Sequence, residues 1–104
     1  MKRFLKFENI QNQYIKYKIP FLPRSETYLI QWFPNAITKK HNHNGKQCDF
    51  IPLKGYLYEK QYIGQSIIEY QLKPFHKYSI NDSIGEHQMI NYDNSVKWSL
   101  HMYY

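Results

Sequence analysis

The sequence predicts an all-β domain, and three observations point to that class. Apolar and polar residues alternate with a period of two along most of the chain, and this spacing places successive side chains on opposite faces of a strand. The 104 residues include eleven Tyr, six Phe and two Trp, and aromatic residues favour strands. Turn-forming residues divide the alternating segments into pieces of strand length. Together they predict a sandwich or barrel of strands.

The first four expected strands are separated by breaks that contain proline or an Asn-Gly pair. They are Tyr14–Ile19, Glu26–Trp32, Ile37–His43 and Cys48–Leu53. Proline has no amide hydrogen to donate and Asn-Gly favours turns, so each break ends a strand. Pro52 lies inside the fourth strand, where it cannot donate to a neighbour. We therefore expect a bulge or an edge position at Pro52.

The other five expected strands are bounded by glycine, proline and Asn-Asp-Ser breaks. They are Tyr56–Tyr62, Ser66–Leu72, Lys77–Ile80, Glu86–Asn91 and Val96–Tyr103. Gly55 and Gly64 enclose the first of these strands, and Pro74 follows the second. No internal repeat or linker interrupts the sequence. We expect a single domain over residues 1–104, in which residues 1–13 form a short N-terminal arm.

The net charge of +6 does not by itself predict a nucleic-acid-binding protein. Lysine supplies twelve of the fourteen basic residues, and they are spread over the chain without a run of five or six. Ile, Asn and Tyr are enriched as well, whereas Ala occurs once, so the basicity reflects a biased composition. We expect no nucleic-acid partner.

The sequence also predicts where the protein resides. The single cysteine, Cys48, excludes a disulfide within the chain. The first residues are basic but lack the apolar stretch of a signal peptide. No apolar run approaches the roughly 20 residues that a membrane helix requires. We expect a monomer of the reducing cytoplasm with no membrane partner.

A pair of histidines stands at the end of the third expected strand. His41 and His43 are separated by one residue, and residues i and i+2 of a strand point to the same face. The two imidazoles are thereby presented together, as ligands of one metal ion would be. An HxH pair alone is weak evidence among five histidines, so a chance pair is the alternative.

Two separated motifs strengthen the metal interpretation. In the first, Cys48 follows the HxH pair, and Gly55 follows Cys48 after six intervening residues. In the second, His87 is followed at +4 by Asn91. Their order resembles the two motifs of the cupin family, in which Gly, HxH, an acidic position and Gly precede a His and an Asn. Asn35 occupies the first Gly position, and Cys48 stands where most cupins have a metal-binding Glu.

The cysteine at that position resembles the animal-type cysteine dioxygenases, in the thiol dioxygenase branch of the cupin family. Ile80–Gly85 with His87 resembles the segment around the third ligand, and Ser99-Leu100-His101-Met102-Tyr103 resembles the final strand. Trp32, nine residues before the HxH pair, also falls in register. The resemblance covers about residues 14–103. It implies a cupin-type antiparallel β-barrel, the jelly-roll-like double-stranded β-helix.

The resemblance implies an Fe(II) cofactor held by His41, His43 and His87. Three neutral imidazoles leave coordination positions open for the thiolate and amine of a substrate and for O₂. The implied substrate is free cysteine or a close small thiol, and the product is a sulfinic acid. The missing carboxylate ligand fits this chemistry, because the incoming thiolate brings the compensating negative charge.

Two further roles follow from the resemblance. Cys48 and Tyr103 match a pair that becomes a thioether cross-link beside the iron, although a small buried core residue is the alternative for Cys48. Ser99, His101 and Tyr103 are spaced i, i+2, i+4 and share a strand face. The resemblance makes them a catalytic relay that positions the Tyr103 hydroxyl toward the substrate. The alternative is a plain inward row of the final strand.

Substrate binding is expected at Tyr14 and Lys16. Tyr14-Ile15-Lys16 aligns with a Tyr-x-Arg of the family, whose Arg grips the substrate carboxylate. A lysine neutralises a carboxylate but lacks the guanidinium fork. Three alternatives stay open: Arg24 as the anchor, a substrate thiol without a carboxylate, and a solvated Lys16.

Family members carry further segments before the barrel and after the Ser-x-His-x-Tyr strand. Three interpretations are therefore open. The chain is a minimal active enzyme, or a catalytically reduced or inactive metal-binding cupin that serves as a ligand-binding or sensor protein, or a domain whose barrel is closed by a partner. Another metal cupin, such as a different dioxygenase or an isomerase, is the alternative among enzymes, and Cys48 argues against it.

Overall fold

A computed structural model describes residues 13–19, 26–40, 47–80 and 86–103, together with the backbone course of residues 5–10. All nine regular elements in these ranges are strands. They are β1 (Leu5–Ile10), β2 (Tyr14–Lys18), β3 (Glu26–Trp32), β4 (Cys48–Lys54), β5 (Leu57–Ile63), β6 (Ser66–Leu72), β7 (Tyr78–Ile80), β8 (Glu86–Ile90) and β9 (Lys97–Tyr103). The predicted all-β class is confirmed. In the described ranges no helix is long and apolar enough to cross a membrane.

The strands form two antiparallel sheets. The large sheet has the order β1-β2-β3-β9-β4-β7, and the small sheet has the order β6-β5-β8. The last described strand, β9, lies between β3 and β4 and is therefore a central strand of the large sheet. Buried side chains of both sheets, among them Trp32 and Phe50 of the large sheet and Leu57 and Met89 of the small one, form a single core cluster.

Two elements differ from the sequence prediction by more than one residue at an end. β1 pairs with β2, although residues 1–13 were expected to form only an arm. The predicted strand Ile37–His43 is reduced, in its described part, to one antiparallel bridge between Ile37 and Ile90, and residues 41–43 lie outside the described ranges. The Thr38 amide donates to the Met89 carbonyl at 3.0 Å, so this short segment still extends the small sheet along β8.

The proline inside β4 is accommodated as the sequence predicts. The register of β4 against β9 shifts between Pro52 and Lys54, which is a bulge. The carbonyl of Pro52 accepts a hydrogen bond of 2.7 Å from the Phe75 amide. The bulge thereby keeps the first half of β4, which begins at Cys48, in regular pairing with β9.

Three residues of the two sequence motifs that are not predicted metal ligands stabilise turns and loops. They are Asn35, Gly55 and Asn91. Asn35 and Gly55 have positive φ angles of 61° and 73°, a region in which asparagine and glycine are tolerated best. A Cβ atom on Gly55 would also lie 2.4 Å from Nζ of Lys97. Asn91 is fully buried, and its Nδ2 donates to the carbonyls of Phe33 and Ser95. These residues fix the loops at one end of the sheets.

Candidate functional site

The inward row of β9 forms the centre of the candidate site. Ser99, His101 and Tyr103 point to one face of the large sheet, as their spacing predicts, and Ser99 and His101 are buried. Directly across the strand pair, Tyr103 faces Cys48 and His101 faces Phe50 of β4. The alternation of β4 and β9 therefore brings the predicted cross-link pair and the predicted relay to one place.

Cys48 and Tyr103 are in side-chain contact. The phenol of Tyr103 lies close enough to the Cys48 sulphur to affect the pKa of the thiol. Burial raises the pKa of the Cys48 thiol from 9.0 to about 12, although the hydroxyl of Tyr103 and the ammonium of Lys16 act in the opposite direction. Burial also raises the pKa of Tyr103, with a further contribution from Cys48. Both groups are thus held in their protonated forms at neutral pH.

A chain of hydrogen bonds leads to His101. The indole Nε1 of Trp32 donates to Oγ of Ser99 at 2.7 Å, and Ser99 Oγ lies 2.7 Å from Nε2 of His101. Since an indole nitrogen only donates, the Ser99 hydroxyl hydrogen is available for the histidine. With Nε2 as acceptor, a neutral His101 carries its proton on Nδ1, which lies 3.8 Å from the Cys48 sulphur. The relay therefore runs from Trp32 toward the cysteine.

The ring of His101 is fixed by aromatic packing as well. It stacks on Phe50 with ring centroids 5.2 Å apart and an interplanar angle of 12°, and Trp32 lies at 6.3 Å. Tyr103 packs edge-on against Tyr28 at 5.7 Å. Close-packed aromatic rings keep these side chains in single orientations. The site is accordingly closely packed on the side of the large sheet.

Lys16 lies within this aromatic environment. Its Nζ is 4.7 Å from the ring centroid of Tyr28 and 5.0 Å from that of Tyr103, so the half-buried ammonium makes two cation–π contacts. Tyr14, two residues earlier on β2, packs against Trp32 at 5.2 Å. The structure thus brings both predicted substrate-binding residues to the face that carries Cys48. Arg24, the alternative anchor, lies outside the described ranges.

The third predicted metal ligand lies in the small sheet. His87 is 3% exposed, and it shares the inner face of β8 with the core residue Met89. Its Nδ1 is 2.7 Å from Oε2 of Glu59, a buried residue of β5. Metal-ligating histidines commonly bind a carboxylate through the other ring nitrogen, so the surroundings of His87 fit a metal ligand. His41 and His43 lie outside the described ranges, and within those ranges no three potential ligand side chains cluster.

The described chain before the HxH pair runs toward His87. After the Ile37–Ile90 bridge, Gln88 Nε2 donates to the carbonyl of Thr38 at 2.9 Å. Further along, Nζ of Lys40 lies 4.3 Å from the ring centroid of Tyr62. Tyr62 pairs with the residue that precedes His87 on β8. The segment 37–40 therefore follows β8 in the direction of the third predicted ligand.

Sequence reasoning missed two residues of this site, Glu59 and Gln61. They stand on the inward face of β5, two and four residues after the fully buried Leu57. An acidic residue at an inward position of an alternating strand was the available signal, because a buried carboxyl group needs polar partners.

Comparison with known proteins identifies similar folds, but it identifies no protein family from the sequence. No protein-family model matches the chain, and no curated protein sequence matches it. Among solved structures, a cupin domain from Bordetella pertussis Tohama I has a TM-score of 0.67 at 17% identity, over 91% of this chain and 96% of that one. The cupin domain of Drosophila melanogaster CENP-C has a TM-score of 0.74 at 9% identity, over 97% and 75%.

An enzyme is also among the similar structures. A sugar phosphate isomerase of the cupin superfamily from Silicibacter pomeroyi has a TM-score of 0.71 at 16% identity, over 86% of this chain and 58% of that one. At these identities the likeness concerns the fold. The chain therefore has the cupin fold, an antiparallel double-stranded β-helix.

Proposed function

We propose that this protein is an iron-dependent thiol dioxygenase that oxidises free cysteine, or a close small thiol, to a sulfinic acid. The observation that carries the proposal is the contact between Cys48 and Tyr103 beside His101. A thiol and a phenol that face each other on the inner side of the fold are the arrangement that the resemblance to cysteine dioxygenases implies for Cys48 and Tyr103. His41, His43 and His87 would hold Fe(II), which when bound offers open coordination positions to a thiolate and to O₂.

Different residues of the chain would bind the substrate and keep the site in its orientation. The ammonium of Lys16 stands over the ring of Tyr103, where it can neutralise the carboxylate of an amino-acid thiol. The Tyr103 hydroxyl lies beside the sulphur of Cys48 and can donate a hydrogen bond to the substrate. The contact between Ser99 and His101 and the stacking of Phe50 on His101 hold that region in place.

The reaction itself balances without a further reductant. A thiol and one O₂ molecule give one sulfinic acid, in which the sulphur is oxidised and the O–O bond is broken. The test is O₂ uptake by iron-loaded protein with cysteine, cysteamine and 3-mercaptopropionate, with His87→Ala as the control. We expect uptake and an equal amount of sulfinic acid from at least one thiol, and none with His87→Ala. Absence of O₂ uptake with all three thiols would contradict the proposed enzymatic activity.

A second candidate is a metal-binding cupin without catalysis, which acts as a ligand-binding or sensor protein. The observation that favours it is Lys16, because its ammonium is engaged by two tyrosine rings at the position where the dioxygenases have an arginine. Stoichiometric iron binding without O₂ uptake would support this candidate.

A further inference from the structure

The interior of the small sheet contains a carboxyl group, that of Glu59. The residue is 4% exposed, and it lies directly opposite the core residue Met89 in the β5–β8 ladder. Transfer of a carboxyl group from water into a protein interior is costly unless hydrogen bonds replace its hydration. A buried Glu59 therefore needs defined partners, and those partners indicate its role.

Both carboxyl oxygens of Glu59 have partners within the chain. Oε2 lies 2.7 Å from Nδ1 of His87, and Oε1 accepts a hydrogen bond of 3.2 Å from Nε2 of Gln61. Gln61 and His87 are directly paired across β5 and β8, so the three side chains share one face of the small sheet. With one oxygen on the histidine and the other on the amide, the carboxyl group of Glu59 is oriented toward His87.

We infer that Glu59, held by Gln61, is a positioning residue that sets the tautomer and ring orientation of His87 for metal binding. This inference rests on the proposed metal site. When Nδ1–H donates to the carboxylate, the lone pair of a neutral imidazole is on Nε2, the nitrogen that then binds the metal. The carboxyl group of Glu59 is thereby the buried acidic group beside His87. In most cupins a glutamate at the position of Cys48 binds the metal. Glu59 would instead place a carboxyl group next to the proposed set of three histidine ligands.

The test compares Glu59→Gln with Glu69→Gln. Glu69 is an exposed glutamate of the neighbouring strand β6 that accepts a hydrogen bond from Tyr92, so its replacement removes the same charge away from the site. Metal affinity is measured on the full chain by competition of Co(II) with a chromophoric chelator. We expect Glu59→Gln to weaken binding about 10- to 100-fold, the usual effect of losing such a partner, and Glu69→Gln to leave it unchanged.

Gln61→Leu tests the same arrangement with the carboxylate retained. It should weaken Co(II) binding a few-fold and remains informative if Glu59→Gln fails to fold. A readout without metal is the tautomer of His87, followed by ¹⁵N chemical shifts of labelled histidine. We expect the Nδ1–H form in the metal-free wild type and in Glu69→Gln, and a mixture of tautomers in Glu59→Ala.

The outcomes separate this inference from the proposed function. Normal Co(II) affinity and an unchanged His87 tautomer in the Glu59 variants would overturn the role of Glu59 and leave the metal site standing. A wild-type protein that binds no Co(II) or Fe(II) would overturn both.

Discussion

Cys48 and Tyr103 occupy directly opposed positions on the antiparallel strands β4 and β9, where the phenol of Tyr103 lies beside the Cys48 sulphur. Opposed residues of such a pair have Cβ atoms about 4.5–5.5 Å apart, so the contact is built into the register of the sheet. The pairing with β9 is regular from Cys48 to Pro52, and the bulge follows only after Pro52. A strand pairing thus brings together two side chains that are 55 residues apart in the sequence.

The contact predicts a thioether between the two side chains. After incubation with Fe(II), cysteine and O₂, a fraction of molecules should lose two hydrogens, one from the thiol and one from the phenol ring, with O₂ as the oxidant. Intact-mass spectrometry should record a decrease of about 2 Da, on the chemistry of cysteine oxidation. Cys48→Ser and Tyr103→Phe should each abolish the change.

The matched control for the cross-link is Tyr78→Phe. Tyr78 is another partly buried tyrosine that packs on the core, stacked on Phe50 at 5.6 Å. Its replacement should leave the loss of two hydrogens intact. A wild-type mass that never changes during thiol turnover would show that the contact stays non-covalent.

Stability should fall at alkaline pH because of Cys48. Burial raises its pKa from 9.0 to about 12, so between these values the unfolded chain releases a proton that the native protein retains. The contribution of the thiol is fully present below pH 9 and is lost as the pH rises through the native pKa. A single such group gives a slope of about 1.4 kcal/mol per pH unit.

Cys48→Ala isolates this effect from the other groups that titrate in the same range. Urea unfolding of iron-free protein should show a smaller decrease in the free energy of unfolding above pH 9 for the variant than for the wild type. Burial of Tyr103 acts in the same direction, so Tyr103→Phe should also flatten the profile. Identical profiles of the wild type and both variants would argue against a buried thiol–phenol pair.

Lys16→Arg should change substrate preference. If Lys16 meets the substrate carboxylate, the guanidinium fork should improve the apparent affinity for cysteine by roughly ten-fold, about 1–2 kcal/mol, and that for cysteamine much less. Steady-state O₂ uptake with both thiols measures the difference. Tyr14→Phe is the companion variant on the same face of β2. Equal effects on the two thiols would mean that Lys16 does not contact the carboxylate.

Trp32→Phe should destabilise the protein, because it removes the first hydrogen bond of the chain from Trp32 through Ser99 to His101. The substitution removes the donor to Ser99 Oγ and leaves a small cavity in the core, so the free energy of unfolding should fall by about 1–3 kcal/mol. Trp98→Phe is the control, since Trp98 stacks on Tyr17 without lying in the core cluster. Urea denaturation of both variants gives the comparison. A larger loss in Trp98→Phe would show that the hydrogen bond of Trp32 matters little.

The sequence predicted most strands because alternation and turn residues are local signals. Ser66–Leu72 and Glu26–Trp32 have the predicted bounds. β1 escaped prediction because its register shifts between Lys6 and Glu8, which interrupts the period of two. The opposite error occurred at Ile37, where alternation continues but only a bridge forms. Pairing with a distant strand decides such segments, and the local pattern does not contain that information.

Part of the candidate site could likewise be predicted from the sequence, and part could not. Spacing alone placed Ser99, His101 and Tyr103 on one face, and the resemblance to a known family supplied the relation of Cys48 to Tyr103. Glu59 could not be connected to His87 from the sequence, because their contact depends on the register between β5 and β8. That register is set by the pairing of two whole strands, 28 positions apart at this contact.

The most direct test of thiol dioxygenation is the origin of the product oxygens. Iron-loaded protein is supplied with cysteine and ¹⁸O₂, and the sulfinic acid is analysed by mass spectrometry. The proposed reaction places both atoms of one O₂ molecule in the product, so its mass should rise by about 4 Da relative to the product formed with ¹⁶O₂. A sulfinic acid with one labelled oxygen, or O₂ consumption that yields only cystine, would contradict the proposed function.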